Sequence, residues 1–471
     1  MTKTLQEKMF QDMAQKDVFK QAQSYAFDYA DRAFDRRVFP TGAVIARLEN
    51  FVERLPDGPG DGARILEQLH QLGSPATVSQ IGGRYFGFVN GSVIPVSLAA
   101  RWLADFWDQN TALNVMSPVV AKLEEVVEAW LREIFSLPET AVAGFVSGSS
   151  VAILCGLAAA RYRVLQNNQW DINKQGLTGA PKIRIVVGRQ AHGTVIKAIA
   201  LLGLGTGNIE WVDTDDQGRM IVSQLPQLDD STILILQAGN VRTGSFDPFD
   251  EICDKANKAD AWVHIDGAFG LWAAGSKSLQ YLTKGIEMAH SWSVDGHKTL
   301  NTPYDNGIVL CRDKEALIQA LQAAGSYIAY SENRDGMLYT PEMSRRARVV
   351  ELWAALKYLG KVGVDALVSG LHERAVQMSQ ELAAEGFQIL NDVVFNQVLV
   401  AAENDEITRQ TMDNVQKSGE CWAGGATWNG KAVIRISVCS WATTEEDVTR
   451  SVRAFVTARN QAVQDSYGQY D

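Results

Sequence analysis

Lys298 directly follows His297, at the end of the short apolar run Ser291-Trp292-Ser293-Val294 and ahead of a turn that contains Pro and Gly. An amine placed there can point into an interior cleft and add to an aldehyde as a nucleophile. Most lysines are solvated, and the chain carries 44 Lys and Arg. The His-Lys pair alone therefore does not separate a reacting amine from a surface one, and the decision rests on what stands upstream.

Ser147-Gly148-Ser149-Ser150 lies between the apolar Phe145-Val146 and a helical stretch over 151–165. Small residues let the backbone approach a phosphate, and a helix start offers unpaired N–H groups. The same serines also serve as an ordinary helix cap. His192 follows one strand and opens a helix, so its ring either stacks on a flat ligand or is structural. Asp266 closes a very apolar strand. A carboxylate buried there needs a cationic partner; otherwise it is a loop or cap residue. Gly267 and Ala268 leave room for a flat ring. The stretch Gly82-Gly83-Arg84-Tyr85-Phe86-Gly87-Phe88-Val89-Asn90-Gly91 reads equally as a packed turn and as a pocket wall. Gly203-Leu204-Gly205-Thr206-Gly207 imitates a dinucleotide-binding turn, but it follows a helix and ends it. A Walker loop and a Gly-x-Ser-x-Gly elbow are both missing.

The elements that must position these groups alternate from about residue 140. Strands are expected over 183–187, 209–212, 232–237, 261–265, 291–294 and 307–311, with helices between them. That alternation predicts a largely parallel sheet covered on both faces, with ligands at the carboxyl ends of its strands. Ahead of it the chain reads as helices over 24–39, 41–51, 63–72, 95–107 and 119–135, the last opening with Ser117-Pro118. Beyond it a long helix is expected over 342–360, continuing over 362–386. Strands follow over 387–390, 397–401 and 431–438, and a closing helix over 444–458.

Composition limits the function classes. The chain has 471 residues, 46% hydrophobic and 21% charged, with a net charge of −11. This suits two or three globular domains and argues against a nucleic-acid or anionic-membrane surface. The five cysteines, Cys155, Cys253, Cys311, Cys421 and Cys439, form no Cys-x-x-Cys pair. They argue against a disulfide framework or a zinc site and fit a reducing compartment. No metal is expected. No run of eighteen apolar residues and no apolar signal core is present.

Taken together, Ser147 to Ser150, His192, His264-Ile265-Asp266-Gly267-Ala268 and Asp295-Gly296-His297-Lys298 stand in an order that resembles the group II decarboxylases dependent on pyridoxal phosphate (PLP). This is the family of aromatic-L-amino-acid, histidine and glutamate decarboxylases. The resemblance runs from about residue 75 to the end and takes in Ser117-Pro118 and Arg345-Arg346. It implies an α/β protein of PLP-dependent transferase fold type I, with a mostly parallel central sheet and helices on both faces. A helical N-terminal arm over 1–80, a large PLP-binding domain over 81–340 and a small α+β domain over 341–471 are implied. So is a cytoplasmic homodimer, with active sites at the subunit interface, that releases carbon dioxide and an amine from an L-amino acid.

The resemblance also assigns roles. Lys298 carries the cofactor as a Schiff base, Asp266 pairs with its pyridine nitrogen, and Ala268 packs against the ring. His192 stacks on the other ring face and orients the substrate. Ser149 and Ser150 bind phosphate, and His297 lies beside the lysine. A tyrosine after the lysine, reaching in from the other subunit, returns a proton to Cα. Tyr327 is the first choice and Tyr330 the second. A tyrosine in place of phenylalanine points to decarboxylation without aldehyde formation.

Some positions depart from the family. The loop from Gly239 to Gly244 lacks the usual threonine run, and Asp295 stands where an asparagine near the phosphate is common. An acid there repels phosphate unless it turns away, so Asp295 has no assigned role, and none is assigned to Asn240. Phe88, Val89 and Asn90 replace a more aromatic wall, so an aromatic substrate is not implied. Arg242 reads either as a surface ion-pair residue or as a group facing an acidic substrate side chain. Two alternatives compete with decarboxylation: an aldolase or aminotransferase using the same cofactor, and a PLP-binding scaffold without turnover. Loss of Lys298, Asp266, His192 or Tyr327 would be expected in the latter.

Overall fold

The computed structural model describes residues 4–322 and 333–467. A seven-stranded sheet is built from β1 (Val142–Val146), β2 (Arg184–Gly188), β3 (Ile209–Val212), β4 (Thr232–Gln237), β5 (Trp262–Asp266), β6 (Ser291–Asp295) and β7 (Gly307–Cys311). Their spatial order is β1-β7-β6-β5-β4-β2-β3. From β6 to β3 neighbours run parallel, and β7 runs antiparallel to both β6 and β1. β4, β5 and β6 are buried at every position, as strands covered on both faces must be. Side chains alternate between faces. Ile233 and Ile235 thus enter a core formed with the helices Ser149–Asn167 and Gly193–Leu201. Leu234 and Leu236 enter a second core, formed with Pro118–Ile134, Phe249–Lys258 and the start of Val349–Ala384.

The register gathers the chemistry. Asp266 pairs with Gln237 on one side and Ser293 on the other. Asp295 and Val146 flank Gly307. The carboxyl ends of β1, β2, β4, β5 and β6 therefore share one edge, with the amino end of β7 among them. Gly307 is a glycine for a steric reason: a Cβ there would strike the backbone of Gly148 at the start of the Ser149–Asn167 helix.

A second, four-stranded sheet has the order β10-β11-β9-β8. Its strands are β8 (Gln388–Ile389), β9 (Gln397–Ala401), β10 (Gly424–Trp428) and β11 (Lys431–Ser437). It packs against the helices Asp405–Ser418 and Glu445–Tyr467 and the later turns of Val349–Ala384. β10 had no sequence signal because it opens with Gly424-Gly425, which reads as a chain breaker. Among the described residues no helix is long and apolar enough to cross a membrane, and no group of acidic, His and Cys side chains could hold a metal ion.

Two expected helices are corrected. The expected helix over 24–39 ends at Ala30. Beyond it Arg36 reaches the Ser74 carbonyl and Arg37 the Ser418 carbonyl, contacts that a continuing helix would not allow. The helix expected from 342 begins only at Val349. Its arginines diverge to separate partners: Arg345 to Glu124 (2.7 Å), Arg346 to Asp305 and Glu351, and Arg348 to Asp305 (3.5 Å). Satisfying these charges outweighs local helix propensity, which is worth only tenths of a kcal/mol per residue.

Glu124 is the hub of that network, since Arg334 also contacts it, at 2.9 Å, and then reaches Glu128 at 2.7 Å. Burial opposes its charge, but Arg345 and Arg334 outweigh burial and hold its carboxyl below the usual range. A carboxyl lowered in the folded state stabilises above its unfolded value, about 4.3, and that stability is lost as pH falls through the folded value. Glu124→Ala leaves two buried guanidiniums without their shared partner and is expected to cost about 3–5 kcal/mol. Urea unfolding at pH 7.5 measures this, and the gap from wild type should narrow as the buffer is acidified below pH 4.

Candidate active site

Lys298 opens the turn after β6, and its Nζ lies 3.1 Å from Asp295 Oδ2. The other Asp295 oxygen accepts the Ser149 N–H at 2.6 Å. His297 Nε2 is 3.7 Å from Asp295 Oδ2. The His297 Nδ1 accepts the Asn306 N–H at 2.9 Å, and its ring stacks on Tyr304 with centroids 4.2 Å apart. Burial lowers the proton affinity of His297, with Asp295 opposing it. The acid does not turn away from the helix start; it stands between that start and the lysine.

The turn is held by a residue with no assigned role in the sequence reading. Asn301 is fully buried. Its Nδ2 donates to the carbonyls of Lys298 (3.1 Å), Thr299 (2.9 Å) and Cys439 (2.9 Å). Its Oδ1 accepts the N–H groups of Ser92 and Trp441, each at 2.9 Å. Asn301 has φ +58°, a left-handed conformation that asparagine tolerates better than most residues. The only sequence signal was an Asn in a turn, which is too common to single out.

The glycine-rich stretch proves to be a wall against this turn. Gly91 N–H donates to the His297 carbonyl at 3.2 Å, and a Cβ on Gly91 would strike the Lys298 carbonyl. Asn90 Oδ1 accepts from Tyr304 Oη at 3.0 Å. Phe88 and Val89 both have positive φ, 54° and 61°. For a β-branched residue this costs about 1–2 kcal/mol. The backbone bonds of Phe86 to Trp422 and Ser437 hold the segment against that cost.

Asp266, at the end of β5, is 6% exposed and accepts the Ala268 N–H at 3.2 Å. The Ala268 carbonyl in turn accepts the Asp295 N–H, tying β5 to β6 beside the lysine. Burial raises the proton affinity of Asp266, and His192 and Lys298 act against it. His192 caps the Gly193–Leu201 helix, its Nδ1 accepting from Thr194. The residue is exposed; such burial as its ring has lowers its proton affinity against the pull of Asp266, and the charges of Lys298, Arg435 and Arg242 lower it further. Ser149 is buried and Ser150 exposed at the first turn of their helix. His264, in the same motif as Asp266, is fully buried, bonded to Ser291 Oγ at 2.8 Å and pushed down to about 3 by burial. It is a packing residue. Tyr327 and Tyr330 lie outside the described residues.

The donor set fits PLP in most respects. A buried carboxylate short of hydrogen bonds suits a protonated ring nitrogen, a cleft lysine suits an aldehyde, and an imidazole at a helix start suits a ring face. The helix start at Ser149 and Ser150 suits a phosphate. Asp295 is the exception, and it stays outside the phosphate-binding set.

Comparison with known proteins agrees with this geometry. The family described as pyridoxal-dependent decarboxylase conserved domain matches residues 50–401. An acidic amino acid decarboxylase of Bos taurus is 28% identical over 326 residues, covering 65% of this chain and 61% of that protein. An aromatic-L-amino-acid decarboxylase of Bacillus atrophaeus is 29% identical over 321 residues, covering 65% of each. The aligned part thus spans less than two thirds of either relative. The solved structure of Catharanthus roseus tryptophan decarboxylase in complex with L-tryptophan superposes with a TM-score of 0.84 at 20% identity, covering 98% of this chain and 100% of that one. At that identity the likeness concerns the fold.

Replacing Asn301 by aspartate removes the amide donor from three carbonyls and puts charge among them. Asn301→Asp should fold with a lower melting temperature and lose most cofactor binding, read as cofactor retained after gel filtration. Gly42→Ala, where an added Cβ meets nothing within 4 Å, should leave both unchanged.

Proposed function

The chain belongs to the pyridoxal-dependent decarboxylase family, and from that premise we propose that it uses PLP to remove the α-carboxylate of an L-amino acid, releasing carbon dioxide and an amine. The observation that carries this reading is that Lys298, Asp266 and His192 stand at or just beyond the carboxyl ends of β6, β5 and β2, on one edge of the large sheet. When bound, the cofactor supplies a ring that draws electrons from the Cα bond lying perpendicular to its plane. The family match favours loss of the carboxylate over aldol cleavage or transamination.

The residues divide the work. Lys298 Nζ would be the nucleophile that holds the cofactor aldehyde. Asp266 holds a proton on the ring nitrogen: burial raises its proton affinity, and a cation beside it relieves that penalty. His192 covers one ring face and Ala268 packs near the other. The lowered proton affinity of His192 keeps it neutral near pH 7, so it adds no charge above the ring. Ser149 and Ser150 take the phosphate at the helix start, with His297 beside the lysine. Tyr327, ahead of Tyr330, is the proposed source of the proton delivered to Cα.

The same reading divides the chain into an arm to residue 80, a large domain to 340 and a small domain to the end. Separate cores around the two sheets support a large and a small domain, with the start of the Val349–Ala384 helix in the core of the large sheet. A homodimer is proposed on the surface of the arm. The helices Leu5–Gln15 and Asp17–Ala30 bury no residue at all, and Phe10, Met9 and Met13 are 69%, 58% and 56% exposed. An amphipathic helix with its apolar face in water needs a cover, and a second copy, as in the family, supplies it. A cytoplasmic location is proposed on five cysteines that are all free and buried.

Lys298→Ala should abolish covalent cofactor attachment, read by borohydride reduction and peptide mass, and reduce carbon dioxide release to background. Turnover retained in that variant would overturn the assignment. Sedimentation should give a species of twice 51.7 kDa. Met9→Asp combined with Phe10→Asp should shift it toward monomer and lower activity in parallel.

A further inference from the structure

The helix that opens at Ser149 has fewer donors to offer than its small-residue start suggests. An α-helix leaves its first four N–H groups without helical partners. Here those of Val151 and Ala152 both donate to the Gly148 carbonyl, each at 3.0 Å. That of Ser149 donates to Asp295 Oδ1 at 2.6 Å. Only the Ser150 N–H is left over. A phosphate seated at this helix start therefore meets one free backbone donor and a carboxylate that already holds another.

Asp295 stands where an asparagine is the more familiar residue. An asparagine there could accept from the helix and donate to a phosphate, whereas a carboxylate only accepts. The acid has little freedom to leave. Its N–H donates to the Ala268 carbonyl at 2.9 Å, its carbonyl accepts from Trp272 Nε1 at 2.9 Å, and the strand register sets it opposite Gly307. With the backbone held on these sides, only the side chain can turn. Gly148 bounds that turn: a Cβ there would lie 3.7 Å from Asp295 Oδ1 and 3.3 Å from His297 Cε1.

Two further groups face the carboxylate. Lys298 Nζ lies 3.1 Å from Oδ2, and His297 Nε2 lies 3.7 Å from the same oxygen. His297 Nδ1 accepts the Asn306 N–H. A neutral His297 therefore carries its proton on Nε2, the nitrogen that faces Asp295.

The two closest partners of Asp295 are the two groups that the cofactor would claim. A phosphate takes a helix-start N–H, and an aldehyde takes the lysine amine. An N–H given to the carboxylate is not free for a phosphate oxygen. Two anions at one helix start also repel, the more strongly as water is excluded. His297 is the one partner of the acid that the cofactor leaves in place.

We propose that Asp295 is an internal counter-anion of the site: it ties Lys298 to the Ser149–Asn167 helix when no cofactor is bound, and it gives up the Ser149 N–H to the cofactor phosphate and keeps His297, so that the acid weakens the hold on the phosphate. The inference rests on the PLP reading. It makes Asp295 a positioning residue whose contribution to stability and contribution to cofactor affinity have opposite signs.

The test compares the full-length wild-type protein, stripped of cofactor, with Asp295→Asn treated in the same way. The probes are deoxypyridoxine, which is the cofactor skeleton with a methyl group in place of the aldehyde, and its phosphate ester. Neither can bond to Lys298, so the ratio of their affinities by calorimetry reports the phosphate alone. In the wild type the phosphate should add less than tenfold to affinity. In Asp295→Asn that factor should be at least tenfold larger than in the wild type, with the unphosphorylated compound bound as before. The variant should nevertheless melt at a lower temperature than the wild type, because Lys298 has lost its counter-ion. A purely structural role would lower stability and affinity together. An equal or smaller phosphate factor in the variant overturns the proposal and leaves the cofactor reading intact, and so does an unchanged or raised melting temperature. If the variant does not fold, the wild-type ratio decides by itself: below tenfold supports the proposal, and a larger factor overturns it. Binding of neither probe to the wild type overturns the cofactor reading and the proposal with it.

Discussion

Asp295 is 1% exposed, and its two oxygens face different parts of the site. One takes the N–H that opens the Ser149–Asn167 helix, and the other faces Lys298 Nζ. A carboxylate this far from water is stable only while both partners are present, because an uncompensated buried charge costs several kcal/mol. The pair therefore fixes more than itself. It sets the distance between β1, whose carboxyl end leads into that helix, and β6, which carries the lysine. β7 fits between them only because Gly307 lets the backbone of Gly148 approach. Asn301 then locks the lysine turn to the glycine-rich wall and to the stretch after β11. Thus one charge balance and one carboxamide join the large sheet, the wall and the small sheet around a single cleft.

Arginines in this protein fall into two groups by what they face. Those at 334, 345 and 348 fill the interior between β1 and the Pro118–Ile134 helix, and each has an acid beside it. Their function is structural, and they force the chain between Thr340 and Arg348 away from the helix its composition favours. Arg242 and Arg435 lie at the cleft without an acid among the described residues.

The alternation of short apolar runs with helical periods was enough to place the large sheet. The expected strands over 232–237 and 307–311 coincide with β4 and β7, because central strands buried on both faces have almost no polar positions to blur their ends; the strand over 209–212 coincides with the edge strand β3. The residues expected to carry chemistry lie together for a related reason: Asp266 ends a strand, Lys298, His192 and Ser149 follow one, and strand ends in such a sheet share one edge. Prediction failed where long-range partners decide. The Arg345-Arg346 stretch looked helical until its acids were known, and β10, which opens with Gly424-Gly425, was not expected at all.

The sequence by itself determined most strands of the large sheet and the family the chain belongs to, since local periodicity and motif order encode those. Only the tertiary structure decided that Asp295 faces the lysine and the helix start, that Asn301 holds five backbone groups, and that Arg435 reaches the Val241 carbonyl in the loop after β4. Those residues are far apart in the chain. Their meeting depends on how two sheets pack, and packing is a property of the whole core that no single stretch of sequence contains.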